Sequence, residues 1–214
     1  AALHRIAEKR KQWQELADVI TRELALVPSD DSGHIGLKFT LGQTREQHLA
    51  DVPGAIGCYR DILTLDPAHE GARLALEKRL GEPAHELASA GILEPIYEAL
   101  EAWPSLIQVH EIQLRNTDDS GRKVGLLMRI GELHATKLGA AAPAFDAFAR
   151  AFREDPSRGE VRAELEEITP LVEPAHEGDG DGTRKLVELY EGALSRGHEL
   201  SGRQLPNALG HELA

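Results

Sequence analysis

Residues 13–33 read WQELADVITRELALVPSDDSG, and residues 103–121 read WPSLIQVHEIQLRNTDDSG. The two are copies of one pattern. Trp13, Leu16, Val19 and Leu24 recur at an offset of 90 as Trp103, Leu106, Val109 and Leu114, and Asp30, Asp31, Ser32 and Gly33 recur at an offset of 88 as Asp118, Asp119, Ser120 and Gly121. Further along, Gly36, Leu37, Gly42, Leu49 and Ala55 recur at an offset of 89 as Gly125, Leu126, Gly131, Leu138 and Ala144. Asp66, Pro67, Arg73, Leu76 and Glu77 recur in the same register as Asp155, Pro156, Arg162, Leu165 and Glu166. The small drift in offset marks loop insertions. Self-similarity at a fixed period is the signature of a repeat architecture, whose units bury their apolar faces by stacking on neighbours.

Copies are expected at about 1–91, 92–172 and 183–214. LVELYEGAL (186–194) aligns with LADVITREL (16–24) and LIQVHEIQL (106–114), and LGHELA (209–214) with LGQTRE (41–46) and IGELHA (130–135). The third copy is incomplete, so the chain reads as part of a longer array. The start, LHRIAEKRKQW, also matches ILEPIYEALEAW (92–103), with Leu3, Ile6 and Trp13 against Leu93, Ile96 and Trp103.

Apolar residues fall at helical spacing throughout, as in Leu16, Val19, Ile20, Leu24 and Val27, and no stretch alternates at period two long enough for a strand. The spacing predicts helices at roughly 2–10, 12–26, 32–49, 53–65, 68–80, 92–101, 103–115, 120–138, 142–154, 157–168, 183–196 and 200–213, with a further short one at 83–91. Asp30-Asp31-Ser32 and Asp118-Asp119-Ser120 supply N-caps, and Pro53, Pro67, Pro143 and Pro156 sit at first-turn or loop positions. Short connections make neighbouring helices antiparallel. EPAHEGDGDGT (173–183), rich in Gly and Asp, reads as a flexible loop.

Aromatic residues make up only 4% of the chain and hydrophobic residues 41%, which suits helices packed over Leu, Ala, Ile and Val better than a β-sandwich. The net charge of −12 argues against nucleic acid and against an anionic membrane surface, and it favours a basic partner. The single cysteine, Cys58, precludes an internal disulfide. No signal or membrane segment is evident, so a cytoplasmic location is expected.

No catalytic pattern is complete. His85-Glu86 and His211-Glu212 begin like a zinc-protease motif but lack its second histidine. His110 and His134 read as helix-surface or boundary packing, Cys58 as a small packed residue, and Glu164, Glu166 and Glu167 as a solvated helix face. Glu177, Asp179, Asp181, Gly182 and Glu188 fit positions 1, 3, 5, 6 and 12 of an EF-hand-like calcium loop, but Glu replaces Asp at position 1, Arg184 stands where an apolar residue packs, and Pro174 interrupts an entering helix. A Gly-Asp linker is the simpler reading. No catalytic residue, metal or cofactor is expected, and the chain is not expected to be an enzyme.

The segment 127–156 resembles a tetratricopeptide repeat (TPR). Leu127, Ile130, Gly131 and His134 fill its helix A positions, and Ala144, Phe148, Ala151 and Pro156 those of helix B. In the first copy Leu41, Gly42, Ala55, Tyr59 and Pro67 fit, whereas Lys38, Arg45 and Ile62 depart from the motif. The other helix pairs look like divergent TPR-like hairpins, and the phrasing of the array resembles the long TPR arrays of myxobacteria and related bacteria. The resemblance implies an all-α fold, a right-handed superhelix of antiparallel hairpins, one solenoid over 1–214. It implies a non-catalytic scaffold binding a protein or peptide in a concave groove. By motif position that groove would present Phe39, Gln43 and Glu46 from one helix A, and Met128, Glu132 and Ala135 from the other. The competing reading is a structural spacer within a larger protein, and self-association through the unfinished repeat is a further expectation.

Overall fold

The computed structural model describes residues 12–29, 32–172 and 181–199, and the predicted helices at 2–10 and 200–213 lie outside them. Among the described residues the chain is helical and contains no strand. It divides into two compact units, Ala1–Leu100 and Glu101–Ala214. Unit 1 holds α1 (Trp13–Leu24), α2 (Ser32–His48), α3 (Val52–Leu65), α4 (Glu70–Glu77) and α5 (Glu86–Ala99). Unit 2 holds α6 (Trp103–Arg115), α7 (Ser120–Glu132), α8 (Ala141–Glu154), α9 (Gly159–Ile168) and α10 (Gly182–Glu199). Within each unit every helix packs on the next in sequence. This is the arrangement that short connections between apolar-faced helices enforce. No helix among the described residues is long and apolar enough to cross a membrane.

The chain chemistry explains the boundaries. The Asp51 carboxylate accepts the Gly54 N–H at 3.0 Å and caps α3, with Pro53 in the first turn; Asp119 accepts the Arg122 N–H at 2.6 Å and caps α7. α3 and α8 both end at an Asp-Pro pair. There Asp66 accepts the Ala68 N–H and Asp155 the Ser157 N–H, each at 3.1 Å, which closes the turn into the next helix. α4 tightens into a 3₁₀ turn at Lys78–Gly81, and α9 into one at Thr169–Leu171.

Two boundaries differ from the expected ones. The short helix expected at 83–91 and that at 92–101 are one helix, α5, with Pro95 inside it. A proline in a helix clashes with the carbonyl four residues back, and here that residue is Gly91, the least hindered neighbour available. The helix expected at 120–138 is α-helical only to Glu132 and then widens into a π-turn, Leu133–Lys137, which ends at Gly139 with φ +61°. The matching residue after α2 is Ala50, at φ +53°.

The cores follow the apolar stripes. In unit 1, Leu16, Ala17, Ile20, Leu41 and Cys58 form one buried cluster. In unit 2, Val124, Leu127, Ala144, Phe148, Phe152, Leu165 and Tyr190 belong to a larger one. α10 packs on α9, its 3₁₀ turn and α8, as α5 packs on α4, its 3₁₀ turn and α3. The sequence matches this placement at an offset of 93, where Leu93, Ile96 and Tyr97 become Leu186, Leu189 and Tyr190. The packing therefore supports counting α10 with α5 rather than with α1.

Candidate binding site

The helix A positions of the TPR motif fall on α2 and α7, and their close partners on α3 and α8. A Cβ on Gly131 would lie within 2.6 Å of Cδ1 and Cζ of the Phe148 ring, and one on Gly42 would lie 2.8 Å from Cε1 of Tyr59. Both rings are buried, as are Ala55, Ala144 and Ala151. Pro67 and Pro156 occupy the two closing turns. These contacts fix the distance of each first helix from its partner and so decide which of its residues face outward.

Phe39 and Glu46 turn toward the end of unit 1. The Phe39 ring packs at 5.9 Å from the Tyr59 ring and 5.1 Å from the His69 ring, over Gly71. Glu46 accepts the Tyr59 O–H at 2.7 Å, pairs closely with Arg79 and lies 3.9 Å from Lys78. Burial, and then the Glu46 carboxylate, push the Tyr59 hydroxyl far above its ordinary pKa, so it stays a donor. Arg79 also grips Glu82 at 2.5 Å. In unit 2, Met128 and Ala135 are half-buried against the core, and Glu132 is half-buried with Arg129 at 3.5 Å. Of the six residues read as groove-lining, Gln43 alone is fully exposed.

Gln43 belongs to an outward stripe that motif position did not pick out: Gly36, Thr40, Gln43 and Gln47, spaced three or four residues apart on α2. The Gln43 and Gln47 amides are exposed and have no hydrogen bond among the described residues. Beside them Trp13 stacks on His48, with ring centroids 3.6 Å apart and planes 8° apart. A cavity of about 290 Å³ lies between α1 and α2, lined by Trp13, Leu16, Gln43, Gln47 and His48 among others. The corresponding stripe in unit 2 is Gly125, Arg129, Glu132 and Thr136 on α7 and the π-turn. There Lys137 sits 5.0 Å from the centroid of the Trp103 ring, the position His48 holds against Trp13. The signal for these residues was present in the sequence as the repeated Trp and the exposed i, i+4 positions, but only packing tells an open stripe from a covered one.

The residues weighed for chemistry are structural. Cys58 is buried, with an Arg45 guanidinium N–H at 3.8 Å, and burial pushes its thiol up, away from the reactive thiolate. His110 is buried, where a surface or boundary position was one expectation. Glu164 is half-buried instead of facing fully outward, and burial followed by Glu167 and Glu132 raises its pKa. No cluster of three metal-ligating side chains occurs among the described residues. Of the calcium-loop positions, Glu177 and Asp179 lie outside them. Asp181 caps α10 by accepting the Arg184 N–H, Glu188 pairs with Arg184, and Gly182 presses on the Thr169 carbonyl where a Cβ would collide.

The tetratricopeptide repeat family model matches residues 1–32. The chain is a TPR-like helical repeat protein. The match covers α1 and the residues before it, a stretch whose sequence departs from the motif consensus, whereas the residues that fit the consensus most fully lie at 127–156. No curated protein matches the chain. TPR repeats act in general as protein-binding scaffolds, and theirs is generally a non-catalytic fold.

Proposed function

We propose that this TPR-like protein is a non-catalytic scaffold that takes a protein or peptide partner on the outward stripes of its first helices. The observation that supports this reading is the α2 stripe: two exposed amides, Gln43 and Gln47, without intrachain partners, beside a half-buried Trp13 stacked on His48. Amides can bond a peptide backbone as both donor and acceptor, and a rigid aromatic offers area at low entropic cost. Gln43 and Glu132 keep their groove role; Phe39, Glu46, Met128 and Ala135 act as supports beneath it. The acidic surplus of the chain favours a basic partner on approach, through steering more than through contact energy.

A photo-crosslinking residue at position 43, compared with one at exposed position 60 on α3, tests this. The expected outcome is a discrete adduct from position 43 that weakens in Trp13→Ala and Gln47→Arg backgrounds. If positions 43 and 60 capture the same proteins to the same extent, the spacer reading replaces the scaffold one.

A further inference from the structure

We infer that the π-turn Leu133–Lys137 is a hinge that opens on acidification, with His134 as its trigger and the end of the α7 stripe as the part it moves. Thr136 of that stripe stands on this turn, and so does Lys137, 5.0 Å from the centroid of the Trp103 ring. A π-turn is a rare conformation, found mostly as a single turn within an α-helix. Two backbone bonds tie its far end. The Leu138 N–H donates to the Leu133 carbonyl at 3.1 Å, and the Ala140 N–H donates to the His134 carbonyl at 2.8 Å.

His134 fits this seat only as the neutral ring. Its Nδ1 is buried and has no hydrogen-bond partner among the described residues. The neutral ring can carry one nitrogen as an unpaired acceptor, but the protonated ring has an N–H on both, and a charged donor buried without a partner is costly. The helices packed on the turn are α6, α7 and α8. From α6, Glu111 acts on His134, yet both its oxygens already accept from the Arg150 guanidinium of α8, at 2.6 and 3.0 Å. Asp146 of α8 acts in turn on Arg150, Glu132 of α7 pairs with Arg129, and Lys137 lies over Trp103. A protonated ring must therefore either draw Glu111 from Arg150 or turn out to water. Turning out is the smaller change, because His134 is only half-buried and residues 136–139 are already exposed. The proton binds the open turn better than the closed one, so acid draws the turn open.

Unit 1 lacks the device. At an offset of 89, Thr44–His48 continues α2 as α-helix, and Arg45, in the place of His134, donates to the Gly54 carbonyl at 3.2 Å. In unit 2, an open turn releases Lys137 from Trp103 and withdraws Thr136 from the stripe. The consequence for a partner rests on the scaffold reading above; the opening itself does not.

Hydrogen exchange in the isotope-labelled full chain, read by NMR and corrected for intrinsic rates, tests this without a partner. For each pH unit below the ordinary histidine value of 6.5, the protection of the Leu138 and Ala140 amides is expected to fall by up to about tenfold, while that of Leu127 and Phe148 in the core holds. Over the same range the Lys137 methylene protons lose the upfield shift that the face of the Trp103 ring imposes. Both changes share the midpoint of the His134 ring protons in the wild type, and both vanish in His134→Gln. Unchanged protection, an equal fall at Leu127 and Phe148, a midpoint other than that of the His134 ring, or the same response in His134→Gln each overturns the assignment. Unchanged protection would leave the scaffold reading standing, and failure of the crosslink at position 43 would leave the hinge standing.

Discussion

Gly131 and Phe148 set the spacing of a helix pair through one absent methyl group. A Cβ there would overlap a ring that is fully buried, so the ring or the helix has to move. Gly131→Ala is expected to destabilise by about 1–3 kcal/mol, the usual cost of overpacking. Gly125, six residues earlier on the same helix, meets nothing within 4 Å of an added Cβ. Gly125→Ala should stabilise by about 0.5–1 kcal/mol through backbone entropy. Thermal melts of the two variants decide this, and shifts of the same sign would contradict it. The helix ends give a second test. Gly139 and Ala50 hold the same left-handed turn, in which an L side chain costs about 1 kcal/mol, so Ala50→Gly should raise stability by about that much in urea titration. His134 carries a pH dependence. Its Nδ1 is buried without a hydrogen-bond partner, and burial lowers its pKa below the ordinary 6.5, opposed by Glu111 on α6, itself held by Arg150 of α8. The unfolded chain therefore binds this proton more readily than the folded one. The contribution to stability is complete above the ordinary value of 6.5 and is lost as pH falls from there through the lowered folded-state value. Arg45, at the same place in unit 1, donates to the Gly54 carbonyl at 3.2 Å. The melting temperature of the wild type should fall more steeply than that of His134→Gln between pH 7.5 and 5.5; parallel curves would remove His134 from the account.

α2, α3 and the turn after α4 in unit 1 are joined by a polar triad that the corresponding elements of unit 2 replace with an apolar one. Glu46, Tyr59 and Arg79 become Ala135, Phe148 and Ile168 at an offset of 89. Side chains of Glu46 and Arg79 are only 12% and 11% exposed, so desolvation offsets much of their attraction. Removing one partner strands the others. Tyr59→Phe should cost about 1 kcal/mol and Arg79→Ile about 3 kcal/mol. The triple change Glu46→Ala, Tyr59→Phe, Arg79→Ile should come back to within about 1 kcal/mol of the wild type, because unit 2 shows the apolar set packs on the same scaffold. Denaturant titration of the three proteins measures the coupling, and a triple variant as unstable as the sum of its parts would show that the ion pair itself holds the elements together. The same triad occupies Glu46, one of the expected groove residues. Motif position places it outward, but Arg79, 33 residues away in sequence, draws it in.

Among the described residues, each of the two units presents the same series of five helices, longer than a two-helix TPR hairpin. α2–α3 and α7–α8 are hairpins of the familiar kind, and α4 and α9, each closed by a 3₁₀ turn, are single helices added after them. The odd helix in the set accounts for an internal period near 89 residues, longer than two TPR hairpins. From the packing of α10 we propose that it stands in register with α5 instead of α1. LVELYEGAL has the apolar spacing of any amphipathic helix here, and only its seat on α9 and the 3₁₀ turn pairs it with α5. Among the described residues most of the helices, the Asp119 cap, the Asp-Pro turns, the Gly42 and Gly131 contacts and the all-α class were legible in the sequence, because each depends on residues within a few turns of one another. Which side chains remain open to a partner was not legible. Glu46, Phe39 and Met128 have the same local signature as Gln43, and their covering comes from distant residues or from the core itself. Periodicity determines that a helix has a buried face and an outward one. Where the boundary between them falls is decided by how closely the neighbouring helices approach, and that distance exists only in the tertiary structure.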